Sequence, residues 1–590
     1  MRTTRTVLCS TVTRRGLGLL NGLRRSPLQI NPTFHICRRG FESQASPMRM
    51  EMKMLAFLHT CLLVLYFPLN FLYYPLFVQS LLTCKSMEHC TCYEQHVPVF
   101  HDTFPSLEEK KKFRLAKVLD CVRLGLIKVP DFGVKDKLDI DTILLNGNSI
   151  KSVDKYAFGN ITVNKIDMAD NPLHTIDRYA FLHMKDKLET LILSGTKIQI
   201  GESLHFLNGL SNLKELDISR ILLEVNVLPL DFINLYGLYS LKRLVISGLK
   251  LKDIAPGTFL GLESITSLGM GSNDFVSIPK EVKRLTNLKY LSVTGCRHIT
   301  ITRNALQGFK LLEFLELFNL GLHYFPGYAI QDLDNLKKLD VSYNNIQELN
   351  NDSFPGVYRL KTMMLSGNPL RFHDTMFGRL EESLDEIDIS NMALTTLPLG
   401  SLQRLKRLKL LSAGFNMFNI IDEDFLDGLS LKHLDINNMI TLEHVSPRAF
   451  HNMMAPFDLD IRGTGVRSLS FLLAARPLFY GKVDANFNPL ECDCALWKLF
   501  LDRPVNGPLF GTCTFPNDTE NSYVFVIYAN MAEDLSKRGD LGARLTSNCE
   551  LSEAKYRGVV NASATLHKLL ARLNIVLFIS LVYRNVITLI

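Results

Sequence analysis

The sequence contains none of the short motifs that mark common catalytic sites. It has no HExxH zinc motif, no phosphate-binding glycine loop and no nucleophile elbow. We therefore expect no enzymatic activity, no cofactor and no metal site.

Excess charge of one sign is scarce outside the N-terminus. The net charge is +7, but the first 47 residues hold eight arginines and a single acid, Glu42. The remainder is close to balanced, so the sequence predicts no nucleic-acid-binding face. With 47% hydrophobic and 21% charged residues, the composition is that of a globular chain with ample core material.

What the chain does have is an internal repeat. Leu336–Ile346 (LKKLDVSYNNI) and Leu360–Leu370 (LKTMMLSGNPL) share an eleven-residue frame with apolar residues at positions 1, 4, 6 and 11 and asparagine at position 9. Fifteen such units, numbered 1 to 15 below, begin at Ile140, Val163, Leu188, Leu213, Leu241, Ile265, Leu288, Leu312, Leu336, Leu360, Leu384, Leu408, Leu431, Pro456 and Tyr480.

The frame has a direct physical interpretation. Positions 3 to 7 alternate as a strand does, so we expect positions 4 and 6 to enter the core and positions 3, 5 and 7 to face out. No unit buries its core alone, and stacking joins the strands into one parallel sheet. The amide at position 9 is expected to satisfy backbone groups at the bend between units. Seven units carry it, as Asn148, Asn171, Asn273, Asn344, Asn368, Asn416 and Asn488.

This frame, together with a phenylalanine in the second half of many units (Phe158, Phe181, Phe259), resembles the long leucine-rich repeat of extracellular receptors. The resemblance covers about two-thirds of the chain. It implies an α/β solenoid: a leucine-rich repeat horseshoe with a parallel sheet on its concave face and disulfide-bonded caps. Cys296 takes position 9 in unit 7, where this repeat also accepts cysteine, and is expected to be a buried structural thiol.

Two groups of four cysteines bracket the repeats. The segments CKSMEHCTC, followed by Cys121, and NPLECDCALWKLF resemble the N- and C-terminal cysteine-rich caps of extracellular leucine-rich repeat proteins, with Trp497 lying over the final coil. The sequence alone allows three connectivities in each group, and zinc held with His89 or His96 is an alternative. The resemblance implies the pairs Cys84–Cys92, Cys90–Cys121, Cys492–Cys513 and Cys494–Cys549.

An export signal is expected ahead of the first cap. The run from Met54 to Cys84 contains no acid, lysine or arginine. It is either a signal peptide cleaved near Ser80 or a retained anchor long enough to span a bilayer, and both place the repeats outside the cell. Four sequons are then candidate glycosylation sites, at Asn160, Asn351, Asn517 and Asn561.

Repeats between two cysteine caps resemble the ectodomain of Toll-like receptors, which detect microbial products or protein ligands. Those receptors continue into a membrane helix and a cytoplasmic signalling domain, whereas 41 residues follow Cys549 here. The segment Leu573–Ile590 fits a membrane helix, a lipid-anchor signal, or the end of a secreted or incomplete chain. The expected division is 1–80 (upstream basic segment and signal), 81–138 (N-terminal cap), 139–490 (repeats), 491–550 (C-terminal cap) and 551–590 (juxtamembrane segment and hydrophobic tail).

Two surface features compete as functional sites. Aspartates recur at position 5 of the frame. They could form paired carboxylates or a row of calcium ligands, but aspartate is also a common residue at this position of the repeat. Four aromatic residues at positions 3, 7 and 8 of units 7 to 9 are the candidate ligand-binding residues: Tyr290, Phe314, Phe318 and Tyr343. Clustered exposed aromatics often anchor a partner; packing beneath a glycan or loop is the alternative.

The sequence thus predicts an extracellular recognition protein, at the cell surface or secreted. One interpretation is a pattern-recognition receptor or decoy of the Toll-like kind, with a protein or microbial ligand and possible dimerisation. The other is a cell-adhesion or guidance protein, possibly lipid-anchored.

Overall fold

The repeated units build one long sheet. The computed structural model describes residues 90–99, 112–132, 137–198, 203–221, 227–228, 237–450, 453, 457–474, 481–502, 507–515, 518–527, 545 and 549. Neighbouring units pair in parallel at equal frame positions, so that Tyr290 of unit 7 faces Phe314 of unit 8, which faces Lys338 of unit 9. This arrangement confirms the predicted leucine-rich repeat solenoid.

Nineteen strands of the described residues form this sheet. Their bounds are Thr91–Val99, Lys112–Asp120, Leu138–Leu144, Ile161–Asp167, Thr190–Ile192, Glu215–Asp217, Arg243–Val245, Ser267–Gly269, Tyr290–Ser292, Phe314–Glu316, Lys338–Asp340, Thr362–Met364, Glu386–Asp388, Leu410–Ser412, His433–Asp435, Asp458–Asp460, Val483–Glu491, Leu509–Phe515 and Asp518–Ile527.

The second halves of the units contain short elements. Three parallel two-stranded ladders join Ser152–Val153 to Thr175–Ile176, Val227–Leu228 to Asp253–Ile254, and Ile420–Ile421 to His444–Val445. The 3₁₀ helices described are Leu182–Met184, Ser203–Leu207, Lys280–Arg284 and Gly378–Glu382. The α-helices described are Gly327–Ile330, Leu399–Leu402, Phe471–Ala474 and Cys494–Asp502.

The strands of units 3 to 14 span positions 3 to 5, two residues fewer than the frame predicts. Backbone hydrogen bonds nevertheless continue beyond them, from the Val293 amide to the Glu316 carbonyl at 3.1 Å and from the Gly295 amide to the Phe318 carbonyl at 2.8 Å. The expected alternation also holds, because Leu291 and Val293, at positions 4 and 6, are fully buried. The chain therefore leaves regular strand geometry early while keeping its contact with the next unit.

Position 8 explains why the strand ends. Its residue has a positive φ in all fifteen units: Gly147, Asp170, Gly195, Arg220, Gly248, Ser272, Gly295, Asn319, Tyr343, Gly367, Asn391, Phe415, Asn438, Gly463 and Phe487. Glycine and asparagine tolerate this left-handed conformation, whereas a bulky side chain there is a steric outlier. The turn at position 8 brings position 9 back into the core.

The predicted asparagine ladder is present and well paired. The Asn344 Oδ1 accepts hydrogen bonds from the amides of Leu320 (2.9 Å) and Leu322 (3.1 Å) in the preceding unit. Its Nδ2 donates to the carbonyls of Leu317 (2.9 Å) and Val341 (2.8 Å). One buried side chain thus satisfies four backbone groups that the turn takes out of the sheet ladder.

The second halves of many units place a phenylalanine in the part of the core opposite the sheet, as predicted. Phe158, Phe181 and Phe259 are completely buried. The Phe158 and Phe181 ring centroids are 5.7 Å apart, and Phe206 extends the row at 5.9 Å. The Phe181 ring thus packs between the rings of the units before and after it, which extends the core along the stack.

Each end of the described sheet is closed by an antiparallel strand pair and by disulfides. Thr91–Val99 pairs with Lys112–Asp120 at one end, and Leu509–Phe515 pairs with Asp518–Ile527 at the other. Such covering strands shield the apolar cross-section that a raw end of the stack would expose. Trp497, in the helix Cys494–Asp502, packs partly buried against the core.

The structure contains three disulfides within the described residues: Cys90–Cys121, Cys492–Cys513 and Cys494–Cys549. They are consistent with the two cysteine caps that the resemblance implies. Cys92 is also disulfide-bonded, whereas Cys84 lies outside the described residues.

Candidate functional site

Tyr290, Phe314 and Phe318 lie on the concave face, the surface formed by positions 3, 5 and 7, and Tyr343 adjoins them at position 8. Tyr290 and Phe314 begin neighbouring strands and are register partners. Phe318 follows the second of these strands, and its ring centroid is 5.0 Å from that of Tyr343 in the next unit. The structure therefore brings all four side chains onto adjacent units; we call them the aromatic patch.

The four residues differ in exposure from the sequence expectation. Tyr343 is exposed, with 46% of its surface accessible, but Tyr290, Phe314 and Phe318 are half-buried. Side chains on a close-spaced parallel sheet cover one another, because neighbouring strands are only about 4.8 Å apart. Tyr343 escapes this crowding since it occupies the turn at position 8.

Tyr290 is held in place by Glu316. Its hydroxyl donates a 2.5 Å hydrogen bond to Glu316 Oε2. Burial raises the pKa of Tyr290 strongly, and the hydrogen bond and negative charge of Glu316 raise it further. The phenol is therefore a neutral donor with a fixed orientation across the physiological pH range.

Tyr343 combines exposure with backbone strain. Its φ of +55° is in the left-handed region, which is an outlier for a bulky residue and costs on the order of 1–3 kcal/mol. The ring lies over Gly367, the position-8 residue of the next unit: a Cβ there would be 2.9 Å from Cδ1 of Tyr343. Gly367 thus leaves the space that the tyrosine ring occupies.

A stretch without large side chains adjoins the aromatic patch in unit 6. Gly269 and Gly271 stand at positions 5 and 7, and Ser267 at position 3 is fully buried. A Cβ on Gly271 would come within 2.5 Å of the Thr294 carbonyl oxygen, so the next unit approaches too closely for any other residue. The run LGMGS at Leu268–Ser272 is the sequence signal for this stretch of small side chains.

The position-5 aspartates have a structural role. Asp340 accepts a 2.9 Å hydrogen bond from the amide of Ser342, two residues on. The same bond recurs at Asp120, Asp167, Asp217, Asp388, Asp435, Asp460 and Asp484. Where aspartate occupies this position, it therefore stabilises the turn that follows the strand, as such side chains commonly do.

Three of these aspartates stand on consecutive units, and two of them are paired with a basic side chain. Asp460 forms an ion pair with Arg462 at 2.6 Å, and Asp484 with Lys482 at 3.0 Å. Burial raises the pKa of Asp435, and the nearby charge of Asp460 adds to the effect. Among the described residues, no group of three or more histidine, cysteine, aspartate or glutamate side chains is placed to hold a metal ion.

Cys296 is buried, and its thiol donates a 3.6 Å hydrogen bond to the Met270 carbonyl. Burial raises the pKa of this thiol, so it is a poor nucleophile. Two predicted glycosylation sites, Asn160 and Asn351, are exposed; Asn517 and Asn561 lie outside the described residues. No helix of the described residues has the length and apolar character needed to cross a bilayer.

A second set of exposed apolar side chains was missed by the sequence analysis. It comprises Phe415, Met417, Ile440 and Phe487, which are 54% to 83% exposed. Phe415 and Phe487 share with Tyr343 the left-handed position 8, and Met417 and Ile440 stand at position 10. The signal in the sequence was an aromatic residue in the place where this frame favours glycine or asparagine.

Comparison with protein families agrees with this architecture. Residues 318–370 match the family described as Leucine rich repeat, and residues 134–227 match the family described as BspA type Leucine rich repeat region. The matched segments are leucine-rich repeats. Among curated proteins the chain resembles the Toll-like receptors.

The relatives show how far this similarity extends. Toll-like receptor 3 of Bos taurus is 29% identical over 245 residues, which cover 38% of this chain and 26% of the relative. Toll-like receptor 9 of Equus caballus is 24% identical over 384 residues, covering 54% and 37%. A leucine-rich repeat-containing G-protein coupled receptor 5 of Xenopus tropicalis is 29% identical over 199 residues, covering 29% and 22%. The matched region thus spans between 22% and 37% of the length of these relatives.

Two solved structures superpose on this chain with low TM-scores. The mouse RP105/MD-1 complex aligns with a TM-score of 0.45 at 18% identity, covering 61% of this chain and 73% of that one. The TLR13–ssRNA13 complex aligns with a TM-score of 0.40 at 20% identity, covering 65% and 67%.

Proposed function

We propose that this chain is an extracellular recognition protein of the Toll-like receptor kind, which binds a microbial or protein ligand at the aromatic patch. The observation that carries the proposal is the convergence of Tyr290, Phe314, Phe318 and Tyr343 on neighbouring units, with Tyr343 exposed in a strained backbone conformation. The left-handed backbone is common to position 8 of every unit, and what distinguishes Tyr343 is an exposed ring in contact with Phe318.

The physical basis is the low entropy cost of binding to such a surface. Phe318 and Tyr343 are in mutual contact, and the Tyr290 hydroxyl is fixed by Glu316. Rigid aromatic side chains lose little conformational freedom when a partner covers them, and a few such anchors often supply most of an interface's binding energy. The small side chains on the surface of unit 6 leave room for a partner beside the Tyr290 ring.

We also propose a location and an assembly for this protein. We place the protein at the cell surface or in secreted form, with residues 81–138 and 491–550 as caps around the repeats at 139–490, and with glycans at Asn160 and Asn351. Dimerisation is also proposed, with Phe415, Met417, Ile440 and Phe487 as the candidate surface. We propose no enzymatic activity and no nucleic-acid ligand.

The test of the ligand site is the double variant Phe314→Ala/Tyr343→Ala. Binding to partners recovered from panels of cell-surface ectodomains and microbial extracts should weaken by roughly 2 kcal/mol or more, about thirtyfold. The matched control is Tyr239→Ala/Tyr324→Ala, which removes two exposed tyrosines (68% and 87% accessible) outside the patch.

The outcomes separate the candidate functions. Unchanged affinity of the patch variant, at an unchanged melting temperature, would place the ligand site elsewhere. Charge changes at Lys242 and Arg243 should act mainly on the association rate. A partner that proves to be an adhesion protein of another cell would favour the adhesion or guidance function over microbial recognition.

A further inference from the structure

A second binding feature is built into units 11 to 13, away from the aromatic patch. The segment Leu402–Leu411 reads LQRLKRLKLL. Leu402, Leu405, Leu408 and Leu411 are all buried, at intervals of three residues. The residues between them are turned outward, so the apolar anchoring that builds the repeat also projects Arg404, Lys406, Arg407 and Lys409 from one edge of the stack.

Lys406, Arg407 and Lys409 border an open depression of about 370 Å³. Its ten lining residues are Gln403, Leu405, Lys406, Arg407, Leu408, Lys409, Gly428, Leu429, Ser430 and Lys432. Four of the ten are basic and none is acidic. The basic side chains come from three consecutive units, and the backbones of units 12 and 13 are joined by the hydrogen bond from the Lys432 amide to the Lys409 carbonyl at 2.7 Å.

The acidic residues nearby compensate this charge only in part. Glu381 pairs with Arg404 at 2.7 Å, and Glu382 pairs with Lys406. Asp385 is shared by three bases, at 3.3 Å from Arg407, 3.5 Å from Lys409 and 3.4 Å from Lys361.

Lys432 is exposed, and it forms no ion pair with any described residue. Of the four basic side chains that line the depression, three share the carboxylates of Glu382 and Asp385. The depression therefore has an excess of basic charge, whose field attracts anions.

We propose that this basic cluster, defined as Arg404, Lys406, Arg407, Lys409 and Lys432, binds sulfated glycosaminoglycan chains. Clusters of lysine and arginine at this density suit polyanions such as heparin or nucleic acid. Lys409 and Lys432 stand at position 2 of consecutive units, whose strands are about 4.8 Å apart, so the cluster presents charge at intervals along the stack, as sulfate groups do along a linear sugar chain. Gln403 and Ser430 supply neutral polar groups for the sugar hydroxyls.

The lining chemistry favours the sugar over a single-stranded nucleic acid. Proteins that hold single strands combine a basic groove with aromatic side chains on which bases stack, and none of the ten lining residues is aromatic. The depression also lies apart from Tyr290 and Tyr343, so the ligand of the aromatic patch and the glycosaminoglycan are held by different residues.

The test uses the full chain on immobilised heparin, with completely desulfated heparin and a double-stranded oligonucleotide as alternative ligands. The variant Lys406→Gln/Lys432→Gln removes two exposed charges without emptying the core. Its affinity should fall on the order of tenfold, and the slope of log affinity against log salt should decrease by about 2. The matched control, Lys151→Gln/Lys252→Gln, changes the net charge equally at exposed sites in other units and should bind as the unaltered chain does.

Several results would overturn the proposal. Equal losses in both variants would show a response to net charge alone, and no loss in either would remove the cluster from the interaction. Retention on desulfated heparin would exclude sulfate as the recognised group. Tighter binding of the oligonucleotide than of heparin would make nucleic acid the ligand. Each result leaves the aromatic patch untouched, because that site is tested by other variants.

Discussion

The Tyr290 hydroxyl and the Glu316 carboxylate form a hydrogen bond of 2.5 Å between diagonal positions of two neighbouring strands. Position 3 of unit 7 and position 5 of unit 8 thereby act as one element of the concave face. The bond keeps the phenol protonated and directs its ring along the sheet. A partner that covers the patch meets a tyrosine whose rotamer is already set.

Removing the Glu316 charge should return the Tyr290 pKa towards its ordinary value of 10.0. We expect Glu316→Gln to lower it relative to the unaltered chain, because both the hydrogen-bonded carboxylate and its charge oppose ionisation of the phenol. Spectrophotometric titration at 295 nm, with Tyr290→Phe subtracted to isolate this residue, measures the change. Identical difference titrations before and after the substitution would show that Glu316 does not control Tyr290.

The same pair has a consequence for stability at alkaline pH. The folded-state pKa of Tyr290 is raised, so its contribution to stability is fully present below the unfolded-state pKa, near 10.0. It is lost as pH rises towards the folded-state pKa. Glu316→Gln should therefore flatten the decline of the unfolding midpoint above pH 10.

Much of the fold was predictable because one frame recurs. The burial of Leu291 and Val293 follows from alternation alone, and the asparagine ladder follows from the polar residue fixed at position 9. Exposure on the concave face was not predictable: Phe314 and Phe318 are half-buried because side chains of neighbouring strands cover them, and the frame of one unit carries no information about such contacts between units.

The site was only partly visible in the sequence for a related reason. The aromatic patch could be located by position, but the strain at Tyr343 and its fit over Gly367 depend on the φ angle at position 8. Likewise, Lys406 and Lys432 are far apart in the sequence, and only the stacking of units 11 to 13 places them at one depression. Features that are set within one unit were predictable from the sequence. Features that depend on contacts between two units were less predictable.

The ladder asparagines should be more important for stability than their polarity suggests. Asn344→Ala would remove the partner of the Leu320 and Leu322 amides and of the Leu317 carbonyl, and we expect a loss of at least about 2 kcal/mol. Urea denaturation followed by circular dichroism measures it, with Asn345→Ala, an exposed neighbour, as control. Equal midpoints for the two variants would contradict a structural role for the ladder.

The cysteines give a chemical test of the caps. Residues 84–549 contain nine cysteines, and we expect eight to be paired, leaving the buried Cys296 as the single thiol. Mass spectrometry without reduction should find one alkylated cysteine, and only after denaturation. Alkylation of Cys296 in the native protein would contradict its burial, and stoichiometric metal would contradict the disulfide pairing.

The contact between Tyr343 and Gly367 separates backbone strain from side-chain crowding. Gly367→Ala should destabilise the protein for two reasons: the φ of +68° disfavours any Cβ, and the new Cβ would be 2.9 Å from the Tyr343 ring. We expect a loss of about 1–3 kcal/mol. Combining it with Tyr343→Ala should restore only the part due to crowding, since the left-handed conformation at residue 367 remains.

A double-mutant cycle of thermal midpoints measures that part as the coupling between the two residues. The control pair is Gly147→Ala with Tyr343→Ala, because Gly147 has a similar φ of +72° in unit 1 but does not approach Tyr343. Strict additivity for Gly367 as well as for Gly147 would mean that the Tyr343 ring does not rest over the neighbouring unit. The ring would then be free to move, and the low entropy cost assigned to this anchor of the aromatic patch would no longer follow.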